Sequence, residues 1–428
     1  MAASDGRRLR STRRGRRAQL AAIAADLFHR HGYHNVGVDE IAAAAGLTGP
    51  AVYRHFASKQ DILGHVVVDG LDSFAAGVAA TVDAWDGSSD GDLLHTVVAS
   101  ASRLAIERRE LGALWRREGR NLPATDRAAL VMRARQATQF GVNLIRGVRP
   151  PLSPEDADLL CSAAMSVWGS LSDHHVALPR ARFEALLSEL VLAVMLADTV
   201  PVSVPGPPPL RPQQPGSQQP GSQPPGSQPP GSQPPGSQQP RREQLLTLAA
   251  RMFREHGYHG VTMEDIGAAA GISGPSIYRH YAGKADLLLA MCARVRERLL
   301  AGVDAALQPD HQPRPALHEL TTSFVHTVLE HRDLVAAYLM EGHNLPDRPR
   351  TELRRQQRHY LDQWVRLLVG IDPIMDGKPA RIRVHAAVTI VNDLARAGRF
   401  AARPHLADEL IALALAVLVP RPAGPPHM

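Results

Sequence analysis

Two eleven-residue stretches hold the side chains best suited to chemistry: "GPAVYRHFASK" at 49–59 and "GPSIYRHYAGK" at 274–284. Each sets Tyr, Arg, His and Lys in the same order, as Tyr53, Arg54, His55 and Lys59, and again as Tyr278, Arg279, His280 and Lys284. Hydroxyl, guanidinium, imidazole and ammonium groups gathered in this way are donors suited to anionic oxygens. No carboxylate pair at motif spacing, metal-ligand cluster, glycine-rich phosphate loop or nucleophile elbow accompanies them. The chain therefore reads as a non-enzyme with no catalytic residues, no metal and no cofactor. The histidines of "HRHGYH" (His29, His31, His34, with His256 and His259 in the later stretch) straddle a glycine helix end, and Arg254 replaces His29. Packing and capping account for them better than a metal does.

The repetition extends well beyond eleven residues. Aligning Arg16 with Arg241 and reading to Leu63 and Leu288 gives 26 identities in 48 positions without a gap. With the offset reduced by two, "EGRNLP" (Glu118 to Pro123) meets "EGHNLP" (Glu341 to Pro346), and Leu171 meets Leu394. The chain of 428 residues is thus a tandem duplication of a unit of about 190, long enough for each unit to bury its own core. Between them the composition shifts to Pro, Gly, Ser and Gln, with no periodic apolar residue to offset the entropy of ordering. Residues 200–240 read as a Pro-rich, partly extended linker.

Cys161 and Cys292 stand at non-equivalent positions and suggest neither a disulfide framework nor a thiolate metal site. No secretory signal is recognisable, and the most apolar run, "LIALALAVLV", is about half of the ~20 residues needed to span a bilayer. A soluble, cytoplasmic protein without membrane contact is expected. The net charge is +6, and seven arginines lie within the first 17 residues, a cluster that attracts polyanions. Residues 1–15 are expected to be a basic disordered arm.

Positioning the donors is the task of helices. Apolar residues recur at three- and four-residue spacing throughout, punctuated by Gly and Pro, and no strand-type alternation occurs, so the fold class is all-α. In the first unit Leu20, Ile23, Ala24, Leu27 and Phe28 form one face of a helix ending at Gly32. Short helices over about 39–45 and from Gly49 or Pro50 to Phe56 flank a tight turn at Gly46, the form of a helix-turn-helix. Ile41 and Ala45 are placed to face Val52, Thr48 (Ser273) to cap the second helix and Pro50 (Pro275) to occupy its first turn. A long helix then starts near Lys59, with further helices at about 92–108, 110–119, 124–147, 154–176 and 180–198.

These heads resemble the N-terminal domain of the tetracycline repressor (TetR/AcrR) family of bacterial regulators. The resemblance rests on the first helix ending in "HGY", the "I-x-x-A-A-G" helix and turn, and "Y-x-H-F/Y-x-x-K" leading into the fourth helix. It covers about 50 residues of each unit. It implies two units, with helix-turn-helix domains at 16–62 and 241–287 and helical ligand-binding and dimerisation domains at 63–199 and 288–420. It further implies that Thr48, Gly49, Pro50 and Ala51, with Ser273, Gly274, Pro275 and Ser276, lie at base edges. Tyr53, His55 and Lys59, with Tyr278, His280 and Lys284, are assigned to phosphates, and Arg54 and Arg279 to guanine or phosphate. Such a division matches the physics of groove recognition, in which phosphate contacts position and base edges specify.

By the same resemblance the later helices enclose a ligand pocket, with Trp115, Glu118, Asn121, Trp168, Tyr338, Glu341, His343, Asn344 and Trp364 as candidate lining residues. The repeated "E-G-x-N-L-P" also has a plain structural account, a glycine helix end followed by a proline. The last two helices, about 154–176 with 180–197 and 381–397 with 405–419, are expected to pair with those of a partner domain. Two functions of different class follow. One is a sequence-specific repressor of a double-stranded operator, relieved by a small hydrophobic effector (a lipid, acyl thioester or drug) and paired within one chain. The other is an architectural, weakly specific DNA-binding protein acting as a four-headed homodimer.

Overall fold

The structure, a computed structural model, describes residues 2–87, 89–198, 238–272, 274–308 and 310–419. Nearly all of the expected linker and Ser273 lie outside the described residues. The first unit runs through α1 (Ala2–His31), α2 (Val38–Ala44), α3 (Gly49–Val52), α4 (Lys59–Asp83), α5 (Asp90–Glu107), α6 (Leu111–Ala113), α7 (Ala124–Val148), α8 (Pro154–Gly169) and α9 (Arg180–Met195). The second repeats the order with α10 (Gln238–His256), α11 (Met263–Ala269), α12 (Gly274–Ile277), α13 (Lys284–Ala306), α14 (Pro313–Glu330), α15 (Arg332–Met340), α16 (Asp347–Ile371), α17 (Gly377–Arg396) and α18 (Leu406–Leu418). There is no β-strand among the described residues. The fold is all-α, as the periodicity predicts.

Local chemistry starts these helices where the sequence places Ser or Thr ahead of an acidic residue. Ser58, Ser89 and Ser153 each accept the backbone N–H three residues on, at Asp61, Asp92 and Asp156, and so begin α4, α5 and α8. Thr262 and Asp265 close a reciprocal capping box at the start of α11. The basic stretch expected to be a disordered arm is helical from Ala2 and continuous with α1. No proline interrupts it, and arginine is a good helix former.

α4 is long and apolar enough to cross a membrane by length and composition, and exceeds in that respect the C-terminal run that the sequence brings forward. Ile62, Leu63, Val66 and Val67 of this helix are nevertheless fully buried in the core of the first head. In the second unit head and body share one continuous core, whereas the first head keeps a core of its own. The closing helices bring the units together: α8 packs along α17 and α9 along α18, and their apolar faces merge into the large core.

Candidate nucleic-acid interface

The two short helices of each head are held at a fixed angle by a small buried contact and a left-handed turn. Ile41 and Val52 are 0% and 1% exposed in the same core, with Ala45 packed against it. Gly46 and Gly271 both turn the chain at φ +66°, a conformation that side-chain-bearing residues adopt only with strain. Thr48 has the extended backbone of an N-cap, yet its side chain does not cap α3. Pro50 and Pro275 are exposed, and Ala51 and Ser276 are half-buried beside them.

Gly49, placed at base edges by the resemblance, is buried instead. A Cβ there would come within 2.2 Å of the Asp39 carboxylate, so the glycine serves to let α3 approach α2. Past the helix, Tyr53 and Tyr278 stand 57% and 48% exposed, with Arg54 and Arg279 exposed and His55 and His280 half-buried. Tyr278 donates to Glu264 Oε1 at 3.2 Å. Behind this surface Arg17 lies 4.7 Å over the Phe56 ring, and Arg242 lies 4.5 Å over Tyr281. Part of the basic charge ahead of each head is therefore used to fix the end of its recognition helix.

Lys59 and Lys284 do not stand free at their helix heads. The Lys59 ammonium donates to the carbonyls of Tyr33 and Val36, both at 2.9 Å, and sits 4.3 Å from the Tyr33 ring centroid. Lys284 repeats this on Tyr258 and Val261 at 2.7 Å, 4.6 Å from the Tyr258 ring. Desolvation holds both ammonium pKa values below the ordinary lysine value. Their observed work is to tie the loop after α1 or α10 to the helix that leads into the body.

The "E-G-x-N-L-P" repeat completes that tie. Buried Glu118 accepts the Tyr33 backbone N–H at 3.3 Å and Asn121 Nδ2–H at 2.7 Å, while Asn121 Oδ1 meets His34 Nε2 at 3.0 Å. Burial raises the Glu118 pKa. The second unit repeats the asparagine part of the set, with Asn344 donating to Glu341 at 2.8 Å and meeting His259 at 2.8 Å. Here the units also touch, with the His34 and His259 rings 4.5 Å apart and Arg120 2.5 Å from Glu341. Glu118, Asn121 and Glu341, expected to line a pocket, are thus junction residues. The identity of both motifs in both units was the sequence signal that could have linked them.

A cavity of 1850 Å³ lies between the units, walled by the second body and by first-unit residues that include Leu27, His29, Arg116, Arg117, Asp173 and His174. Its apolar wall includes Val295, Leu299, Phe324, Val328, Val335 and Tyr360. Of the candidates, Tyr338, His343 and Asn344 line it. Burial, then Arg117 and Arg120, lowers the His343 pKa to about 4. Trp364 is fully buried behind Phe324 and Tyr360. Trp115 packs against the core of the first head, and Trp168 donates to Ser102 Oγ at 3.1 Å against Phe74. Sequence reasoning missed Arg350, Arg354 and Arg358, which line the cavity from one face of α16. Their four-residue spacing in "RPRTELRRQQRHY" was the available signal.

Both heads coincide with matches to the family model "Bacterial regulatory proteins, tetR family", at residues 20–66 and 245–291. Each of the two units thus carries a segment that matches the tetR family. Among similar proteins, the HTH-type transcriptional activator FasR of Mycolicibacterium smegmatis is 37% identical over 84 residues, 20% of this chain and 38% of FasR. The HTH-type transcriptional repressor KstR2 of Mycobacterium tuberculosis is 30% identical over 132 residues, 30% of this chain and 64% of KstR2. The solved structure of the ketosteroid transcriptional regulator KstR2 from M. tuberculosis aligns with a TM-score of 0.38 and 25% identity, over 42% of this chain and 92% of that one. The sequence matches thus span 38% and 64% of these two curated tetR relatives.

Proposed function

We propose that this chain is a tetR-family DNA-binding transcriptional regulator whose two heads read one operator as a pair formed within the chain. The observation that carries the reading is the matched pair of helix-turn-helix surfaces, each presenting exposed tyrosine and arginine, set on bodies packed through α8, α9, α17 and α18. Thr48, Pro50 and Ala51, with Ser273, Gly274, Pro275 and Ser276, are assigned to base edges. Tyr53, Arg54 and His55, with Tyr278, Arg279 and His280, are assigned to the duplex backbone or a guanine edge. Lys59 and Lys284 act chiefly by positioning. Ala51 against Ser276 and Val52 against Ile277 make the preferred half-sites similar but unequal.

The effector site is the cavity between the units, whose apolar wall and arginines fit a largely hydrophobic small molecule. Release from DNA follows if the ligand favours a body arrangement in which the heads no longer match successive major grooves. The lysine and glutamate ties between head and body would transmit that change. Light scattering of the protein alone and on duplex DNA from its own upstream region tests the pairing. One 46.3-kDa chain per operator is expected, and a two-chain species would replace the pair by a four-headed assembly. Affinity without sequence preference and with a steep salt slope would instead mark an architectural DNA-binding protein.

A further inference from the structure

We infer that the pairing faces of the two units are coded by charge so that each accepts the other and rejects a copy of itself. This deepens the proposed pairing and rests on reading the closing helices as the pairing surface. Among the described residues, the ion pairs that α8 and α9 make with the second unit run in one direction, with the cation from the second unit and the anion from the first. Arg383, 5% exposed, bonds Glu189 at 2.6 Å. Arg399 bonds Asp158 at 2.8 Å and Ser162 at 2.7 Å. Arg403 pairs with Asp156 and also donates to the Glu155 carbonyl at 3.3 Å.

The duplication makes the alternatives readable. With the offset of 223, Arg383 corresponds to Leu160, Arg399 to Val176 and Arg403 to Arg180. Glu189 corresponds to Ala412, Asp158 to Arg381 and Asp156 to Pro379. Two first units placed face to face would set Glu189 against Leu160 and Asp158 against Val176, leaving both carboxylates without partners; Asp156 alone would keep an arginine. Two second units would set Arg383 against Ala412, Arg403 against Pro379 and Arg399 against Arg381. That leaves a buried guanidinium unpaired and brings like charges together, in both halves of a twofold interface.

Nearer the heads the polarity reverses, and one pair departs from the rule: Arg120–Glu341 has His343 and Glu118 as counterparts, so two first units would keep an arginine against a glutamate there. Arg116 of the first unit reaches Asp393 of the second at 3.6 Å, and their counterparts are Leu339 and Ser170. Specificity here comes from what the wrong pairings leave unmatched, more than from strong attraction in the right one. Exposed pairs contribute little by themselves, whereas a buried cation stripped of its partner is strongly unfavourable.

The test keeps the whole chain. A protease site inserted between residues 205 and 235 is cut in the folded protein, and native mass spectrometry follows the two halves as the nicked protein is diluted. One half of each kind in every complex is the expected result. First–first or second–second pairs, or separation into single halves at about micromolar concentration, would overturn the inference. Glu189→Arg in the nicked chain should weaken the pair roughly tenfold or more, and Arg383→Glu added to it should restore most of the loss. Failure of that rescue, with both variants folded by circular dichroism, would also overturn it. DNA binding of the uncut chain is measured alongside. Its absence would defeat the regulatory reading while leaving the pairing result standing.

Discussion

The two units differ in structure at one short segment, "LWRRE" at 114–118 against "AYLME" at 337–341. In the second unit Leu339 and Met340 finish a regular helix beside the cavity, and head and body share one core. In the first, the same places hold Arg116 and Arg117, the chain winds through a π-helical turn, and the head core is separate. Arg116 bonds Asp173 at 2.7 Å, and Thr389 of the second unit donates to the same carboxylate at 3.0 Å. Burial alone would raise the Asp173 pKa, but Arg116 and then His385 hold it below its ordinary value. Arg116, at the place of the exposed Leu339, thus forms part of the contact between units. The two segments meet at one cavity, which the first lines with arginine and the second with Leu339 and Met340.

The comparison can be broken most severely at the second core. Trp364→Ala empties a fully buried site and should cost about 3–5 kcal/mol, whereas Trp168→Ala, at a half-buried site in the first unit, should cost about half as much; thermal melts measure both. Next, Arg116→Met strips Asp173 of its main partner and should cost about 3 kcal/mol. Leu339→Met at the equivalent, 36% exposed place should cost less than about 1 kcal/mol by the same melts. Equal losses from these two would remove the distinction drawn between the units.

Acid should act on the contact between units before it reaches either head. His174 and His385, with rings 4.9 Å apart, have pKa values lowered mainly by burial to about 3 and about 4. A lowered histidine contributes stability that is complete above its unfolded value of 6.5 and disappears as pH falls toward its folded value. Between pH 7.5 and 5 His385 alone should contribute a loss of about 2 kcal/mol. His385→Gln should flatten this part of the stability profile in chemical denaturation. The smallest effects belong to the heads: Tyr53→Phe and Tyr278→Phe should each weaken operator binding by about 1 kcal/mol in a titration. Tyr278→Phe also removes the bond to Glu264 and should change the melting temperature slightly more than Tyr53→Phe.

Much of the fold is legible in the sequence because the duplication repeats each helix signal. The glycines at 46 and 271, the apolar faces and the Ser-x-x-Asp starts all act locally, and local signals are what a sequence displays. The lysines show the limit. A lysine at a helix head reads as a solvated cation free to meet phosphate, and only the folded loop shows two carbonyls and a tyrosine ring already around it. Glu118 and Asn121 are legible as a repeated motif, but their partners Tyr33 and His34 lie 85 to 87 residues away and are not. The pairing charges were equally hidden. Glu189 and Arg383 become meaningful together only once α9 and α17 are side by side.

The packing of α8 on α17 carries a consequence for dose. A regulator assembled from two separate chains loses its partner on dilution, so operator occupancy at low copy number falls as the square of concentration. When both halves are one covalent chain, occupancy falls only as the first power, and a few molecules per cell keep the same fraction in working form. On the pairing proposed above, unequal heads give such a molecule one direction on the duplex, so each unit always lies toward the same flank of the site.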